Sequence, residues 1–164
     1  IPSKTKEMTQ ETPILNEHNK QEFPPMHTTE HIINRAMINI FGCKRAFSAH
    51  IERKKSKLDF TLLQCPTEQQ MAFLERHVNE VIARNMPVTI EFISQQQAKN
   101  RFDLTRLPDN ASETVRIVRV GDYDECLCIG SHVDNTSEIG SFKLLNFDWN
   151  EEKSTLRIRF KLIR

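Results

Sequence analysis

The stretch Thr155-Leu156-Arg157-Ile158-Arg159-Phe160-Lys161-Leu162-Ile163 near the C-terminus alternates apolar and polar side chains. Because successive side chains of a β-strand point to opposite faces, this alternation predicts a strand with one face in the core and a second face that carries three cations. Strands of this kind are typical of antiparallel sheets that are covered on one side. The stretch therefore indicates an antiparallel sheet with other elements packed against one face.

The rest of the chain supplies further strands and the helices to cover them. Strands are predicted at 46–51, 58–63, 88–93, 115–120, 123–129 and 142–148. Helices are predicted after Pro24-Pro25 with Gly42 as the C-terminal cap, after the capping box that begins at Thr67, and after Ser94. The four C-terminal strands are predicted to form a meander-like sheet. The interleaved order α-β-β-α-β-α-β-β-β-β predicts an α+β fold with a mostly antiparallel sheet packed against helices.

Length and composition indicate one soluble domain. Residues 1–22 are polar and aperiodic and are predicted to form an N-terminal arm, and residues 23–164 are predicted to form a single domain. The balance of 23 basic and 22 acidic residues excludes neither nucleic acid nor protein partners. The sequence contains no apolar run near the roughly 20 residues of a membrane helix and no secretory signal pattern, so we expect no membrane association and a cytoplasmic location.

Two distant segments carry residue types that bind transition metals. His27 and His31 are four positions apart, which on a helix places both imidazoles on one face. Cys128 and His132 repeat this spacing downstream. Such a set of nitrogen and sulfur donors suits tetrahedral Zn²⁺, so we predict a zinc site formed by these four residues. Four protein ligands are also the usual composition of a closed structural site, so a functional and a structural zinc both remain open.

These two pairs, together with the segment Asn135-Thr136-Ser137-Glu138-Ile139-Gly140-Ser141-Phe142-Lys143, resemble the editing (second additional) domain of alanyl- and threonyl-tRNA synthetases. The likeness runs from about Met26 to the C-terminus and is greatest to the short free-standing AlaX-type trans-editing proteins. Ile129 stands where the synthetases usually have glycine, and Ser131 where they have threonine. The resemblance implies a zinc-dependent hydrolase that deacylates mischarged tRNA(Ala) in trans, since short members remove serine and sometimes glycine.

The candidate pocket residues lie within or beside the ligand pairs, with one hydroxyl from a predicted strand: Thr28, Glu30, Ser48, Gly130 and Ser131. Acceptance of serine requires a polar partner, for which Thr28 and Ser48 are candidates. Glu30 could orient a water, or be a solvent-exposed helix residue. The candidate tRNA contacts are cations of the first hairpin and the last strand, namely Arg53, Lys54, Lys55, Lys57, Arg157, Arg159 and Lys161.

Three other interpretations stay open at this point. The segment from His27 to His31 also matches the H-x-x-E-H pattern of inverzincin metalloproteases, which predicts a carboxylate as the third ligand. A non-catalytic, zinc-stabilised module of the same fold that binds tRNA or a partner is a second, and a fragment of a synthetase is a third. The sequence specifies no oligomeric state.

Overall fold

The computed structural model describes residues 23–102, 104 and 113–164, so the predicted arm at 1–22 lies outside the described residues. The helices in these ranges are α1 (Pro24–Phe41), α2 (Glu68–Ile82) and α3 (Gln95–Ala98). The strands are β1 (Ser48–His50), β2 (Ser56–Thr61), β3 (Val88–Ser94), β4 (Thr114–Val120), β5 (Asp124–Leu127), β6 (Ser141–Asn150) and β7 (Thr155–Ile163). A 3₁₀ turn at Thr136–Glu138 lies between β5 and β6. The predicted α+β class and element order are confirmed. None of these helices is long and apolar enough to cross a membrane.

Within the described ranges the seven strands form two sheets rather than a continuous meander. The larger sheet has the order β1-β2-β7-β6, and the smaller has the order β3-β4-β5. All neighbouring strands are antiparallel. The predicted meander of the four C-terminal strands is therefore wrong, because β7 pairs with β2 on one side and β6 on the other, whereas β4 pairs with β3 and β5 in the smaller sheet.

The larger sheet buries the face that the alternating C-terminal stretch predicts. Leu156, Ile158 and Phe160 of β7 are fully buried and lie beside Leu58 and Phe60 of β2. Apolar side chains of the two long helices complete this main core, including Ile33, Met37, Leu74 and Val78. The smaller sheet has a separate apolar cluster, formed by Ile93, Ala98, Val115 and Ile117. The helices therefore cover one face of the larger sheet, as expected.

The first two helices begin and end as their local sequences predict. Pro24 and Pro25 occupy the first turn of α1, where a missing N–H costs no hydrogen bond. Gly42 ends α1 in the left-handed conformation, and its N–H donates to the carbonyl of Ile38 at 2.9 Å. The hydroxyl of Thr67 accepts from the backbone N–H of Gln70, which completes the predicted capping box of α2.

Side chains of α2 bond to the outer edge of β6. The amide of Asn79 donates to the carbonyl of Phe142 at 3.0 Å and accepts from its N–H at 2.7 Å. A carboxylate oxygen of Glu75 accepts from the N–H of Leu144 at 2.7 Å. These bonds fix α2 to the larger sheet.

The segment after β5 is fixed to the end of α2 by Thr136. Its hydroxyl is fully buried, donates to the carbonyl of Ile82 at 2.9 Å and accepts from the N–H of Met86 at 2.9 Å. Its own N–H donates to the carbonyl of Met86 at 2.9 Å. Because buried polar groups are costly unless they are paired, this threonine has a structural role. The bonds hold the chain that follows β5 in a fixed position.

Candidate metal centre

Four side chains from the two distant segments converge at the N-terminal end of α1. His27 and His31 lie in its first two turns, whereas Cys128 and His132 follow β5. One ligand atom from each lies within 4.8 Å of the other three. The sulfur of Cys128 is 3.5 Å from Nε2 of His27 and 3.5 Å from Nε2 of His132. The structure thus brings together the residues that the sequence predicts as ligands, and the group could bind a metal ion. Cys128 and His132 complete the set, whereas the inverzincin pattern predicts a carboxylate as the third ligand.

The electrostatics of the cluster favour the ligand forms of Cys128 and His132, whereas the pKa values of His27 and His31 are raised, because the interaction with Cys128 outweighs the effect of burial. Burial by itself would raise the pKa of Cys128, but the charge of His31 and contacts with His132 and His27 lower it well below its usual value. Burial lowers the pKa of His132 to about 4, so that this imidazole is neutral at pH 7. A thiolate and a neutral imidazole are the states in which these side chains bind metals. Nδ1 of His31 is buried and has no hydrogen-bond partner within the described part of the chain.

A buried carboxylate lies next to His31 and is absent from the sequence-based predictions. Asp124, at the start of β5, has no solvent exposure in its side chain, and its Oδ2 lies 3.7 Å from Nδ1 of His31. Arg45 donates to both carboxylate oxygens at 2.9 and 3.0 Å, and Arg35 donates to Oδ1 at 2.9 Å. Burial alone would raise the pKa of Asp124, but His31 and Arg45 hold it well below its usual range. A carboxylate beside a metal-binding imidazole commonly orients the ring.

Thr28 supports the candidate ligand His132 and does not face an open pocket. Its side chain is fully buried, and its Oγ1 lies 2.9 Å from Nδ1 of His132 and accepts from the N–H of Val133 at 3.2 Å. Nε2 of His132 faces the sulfur of Cys128, so the ring has Thr28 on one side and the cluster on the other. The hydroxyl of Thr28 therefore positions His132.

The loop after β5 is held by Arg116 of β4 and packs tightly on α1. The guanidinium of Arg116 donates to the carbonyl of Cys128 at 3.0 Å and to that of Gly130 at 2.8 Å. A side chain at position 130 would overlap the imidazole of His27. Glycine is required at 130 because the ring of His27 fills the space that a Cβ would take.

We expect Gly130→Ala to weaken metal-ion binding by about 10- to 100-fold, the usual range for changes next to metal ligands. The added methyl group would displace the ring of His27. Competition with a chromophoric chelator measures this affinity. Ser131→Ala, one residue further along the same loop, is the control and should bind the ion as the wild type does. Unchanged affinity in Gly130→Ala would show that His27 is not a ligand.

The remaining candidate pocket residues lie at different distances from the centre. An oxygen of Glu30 is 3.4 Å from Nε2 of His27, and its side chain is 17% exposed, so this carboxylate borders the centre and is not fully solvated. Ser131 is exposed in the loop beside His132. Ser48 is exposed on β1 opposite Asp59, and this register places it on the outer face of the larger sheet, away from the main core.

The candidate tRNA contacts form two groups. Two arginines of β7 are paired with carboxylates: Arg157 donates to both oxygens of Asp59 at 2.8 and 2.9 Å, and Arg159 donates to Asp148 at 2.6 Å. The other group consists of Arg53, Lys54, Lys55, Lys57 and Lys161. The guanidinium carbon of Arg53 lies 4.2 Å from the ring centre of Phe23. Arg53, Lys54, Lys55 and Lys161 are exposed.

The helical histidine pair and the Cys-x-x-x-His loop define an α+β domain with a group that could bind a metal ion, and comparison with known proteins identifies its family. Residues 115–159 match the Threonyl and Alanyl tRNA synthetase second additional domain. The chain is 35% identical over 121 residues to the alanine-tRNA ligase of Fervidobacterium nodosum, which covers 73% of this chain and 14% of that protein. It is 29% identical over 136 residues to the alanine-tRNA ligase of Bacillus subtilis, which covers 82% of this chain and 16% of that protein.

The chain belongs to the family of this second additional domain, the editing-domain family of alanyl-tRNA synthetases. It spans 14% to 16% of the length of these relatives. The similarity therefore concerns one domain of much larger proteins.

Proposed function

We propose that this domain hydrolyses the ester bond of mischarged tRNA(Ala), with Ser-tRNA(Ala) as the main substrate and Gly-tRNA(Ala) as a second, and that it acts in trans on tRNA released by the synthetase. The observation that carries the proposal is the convergence of four nitrogen and sulfur donors within 4.8 Å in a domain related to alanine-tRNA ligases. An ester between an amino acid and ribose is already activated, so the site mainly has to place a water and stabilise the developing oxyanion.

We assign Zn²⁺ to the centre, held by His27, His31, Cys128 and His132. A mixed imidazole and thiolate set favours zinc over magnesium or calcium. Bound zinc would polarise the ester carbonyl or lower the pKa of a bound water.

Glu30 is the proposed general base. Its carboxylate borders the centre and keeps partial access to solvent, so it can accept a proton from an attacking water. Ser131, the exposed hydroxyl beside His132, is the proposed partner for the hydroxyl of a seryl substrate. Thr28 is less suited to this role because its side chain is fully buried.

The exposed cations of the first hairpin and the last strand are proposed to bind the tRNA backbone. Arg53, Lys54, Lys55 and Lys161 are exposed, and Lys57 is half-buried. Arg157 and Arg159 are proposed to contribute less, because carboxylates already balance them. Phosphate contacts of this kind give an affinity that falls steeply with salt.

Deacylation of tRNA(Ala) charged in parallel with serine, glycine or alanine tests the proposal. With zinc-loaded protein at low salt, we expect rapid release of serine, slower release of glycine and retention of alanine. Release of none of the three from folded, zinc-loaded protein would reject the proposed activity. That result would favour the second candidate, a non-catalytic module that binds tRNA or a partner. Four protein ligands are the usual set of a closed structural site, and this observation supports the second candidate.

We expect Glu30→Gln to lower the rate constant for serine release by about 10²- to 10⁴-fold, the range for loss of a general base, without loss of zinc. Single-turnover deacylation and metal analysis measure the two quantities. Glu80→Gln is the matched control, because Glu80 lies on the exposed surface of α2. A normal rate in Glu30→Gln would remove this residue from the mechanism.

A further inference from the structure

The smaller sheet has an exposed apolar surface formed by two side chains of β3. Ile90 and Phe92 are 49% and 51% exposed, although both are large apolar residues on a regular strand. In the strand register, Ile90 lies opposite Val118 and Phe92 lies opposite Arg116. Residues directly opposite each other in an antiparallel sheet point to the same side. Both side chains therefore share the face on which Arg116 reaches the loop after β5. We call this pair the apolar shelf.

The same face of the sheet carries the metal ligand Cys128. Cys126 lies opposite Val118, and the N–H of Cys128 continues the strand pairing by donating to the carbonyl of Arg116 at 3.1 Å. Phe92, Arg116 and Cys128 thus form one row across three strands. Two strand spacings separate Phe92 from Cys128, a distance of about 10 Å. The shelf and the centre are parts of one continuous surface.

Hydrogen bonds of Arg116 hold the surface between the shelf and the centre in place. The guanidinium of Arg116 is held by the carbonyls of Cys128 and Gly130, at 3.0 and 2.8 Å. The first two turns of α1 cover the other side of the centre, where His31 approaches Asp124 of β5. A ligand bound at the centre can therefore extend across Arg116 towards β3.

We propose that the apolar shelf binds the base of the 3′-terminal adenosine of tRNA while the esterified amino acid lies at the metal centre. This inference rests on the proposed function. The ester joins the amino acid to the ribose, and the base is attached to that same ribose, so one sugar ring separates the reacting carbonyl from the base. Cys128 and Phe92, about two strand spacings apart, are close enough for one aminoacyl adenosine to contact both. A half-exposed phenylalanine offers aromatic surface for stacking a base, and Ile90 extends the apolar contact.

Binding of two RNA hairpins to zinc-loaded protein tests the inference. Both contain the acceptor stem of tRNA(Ala); one ends in adenosine that carries serine through a non-hydrolysable amide, and the other lacks the terminal adenosine. We expect Phe92→Ala to lose about tenfold in affinity for the complete hairpin and nothing for the shortened one, since stacking on an aromatic ring contributes about 1–3 kcal/mol per base. Phe92→Tyr should keep the wild-type affinity.

Phe73→Ala is the matched control, because Phe73 is 45% exposed on α2, a different part of the surface. This variant should bind both hairpins as the wild type does. Wild-type affinity of Phe92→Ala for the complete hairpin, or an equal loss for both hairpins, would overturn the inference.

The amide keeps this test separate from the test of hydrolysis. If the wild-type protein prefers the complete hairpin, if this preference depends on Phe92, and if the protein hydrolyses no ester, the role of the shelf is supported and the proposed function is rejected. If the wild-type protein releases serine but Phe92→Ala binds the complete hairpin with normal affinity, the role of the shelf is rejected and the proposed function is kept.

Discussion

Cys128→Ala is expected to remove zinc from the protein at neutral pH and to reduce the release of serine from tRNA(Ala) to the uncatalysed rate. The thiolate is the one anionic donor among the four ligands, and three imidazoles alone would bind zinc more weakly. The midpoint of thermal unfolding should change little, because the main core lies between the long helices and the larger sheet. Metal analysis, deacylation and thermal unfolding of the same preparation measure the three effects.

Cys126→Ala is the matched control for this variant. Cys126 lies two residues before Cys128 on the same face of the strand, and burial raises the pKa of its thiol, so that it is protonated at neutral pH. The Cys126→Ala variant should retain zinc and activity. Loss of folded protein in Cys128→Ala would instead show that the metal stabilises the fold, and retention of zinc with full activity would contradict Cys128 as a ligand.

Asp124→Asn is expected to lower the free energy of unfolding by about 3 kcal/mol at pH 7, at the lower end of the range for breaking a buried ion pair. Arg35 and Arg45 would lose their shared anion, although each keeps some access to water. Because His31 would also lose the carboxylate that orients it, zinc affinity should fall by about 10- to 100-fold. Urea unfolding and chelator competition measure the two changes.

Asp59→Asn is the control for Asp124→Asn. Asp59 is also paired with an arginine, Arg157, but this pair lies on the larger sheet and the arginine is more exposed. Asp59→Asn should lower the free energy of unfolding by less than Asp124→Asn does, and it should leave zinc affinity unchanged. Normal zinc affinity in Asp124→Asn would show that the carboxylate serves only the fold.

The stability difference between wild type and Asp124→Asn should depend on pH in a defined direction. The pKa of Asp124 is lower in the folded protein than its ordinary value of about 3.9. Ionisation of this group therefore stabilises the fold above that ordinary value, and the contribution is lost as the pH falls towards the folded-state value. The difference in unfolding free energy should be greatest near neutral pH and shrink on acidification.

Features of the fold that depend on nearby residues could be predicted from the sequence, whereas the pairing of distant strands could not. The strand at Thr155–Ile163 has the predicted bounds because its alternation is complete, and Thr67 caps α2 as its spacing to Gln70 indicates. The first hairpin strand is shorter than predicted, Ser48–His50 against 46–51. The split into two sheets was missed because alternation identifies a strand but not its neighbour, and β7 pairs with β2 from the other end of the domain.

The candidate site shows the same division. The two ligand pairs are visible because each has an internal four-residue spacing, and the structure brings them together as predicted. Asp124 and Arg45 could not be found in this way, since 79 positions separate them and neither belongs to a motif. The sequence likewise gives no sign that Thr28 contacts His132, because their bond depends on how α1 lies against the loop after β5.

The bonds from Asn79 and Glu75 to β6 also bear on how the molecule behaves in a crowded solution. A strand at the border of a sheet normally presents unpaired backbone groups that can recruit a strand from another molecule and start aggregation. Here the amide and carboxylate of α2 already occupy the backbone groups of Phe142 and the N–H of Leu144. This helix therefore protects the start of β6 from intermolecular strand addition, in addition to covering the core.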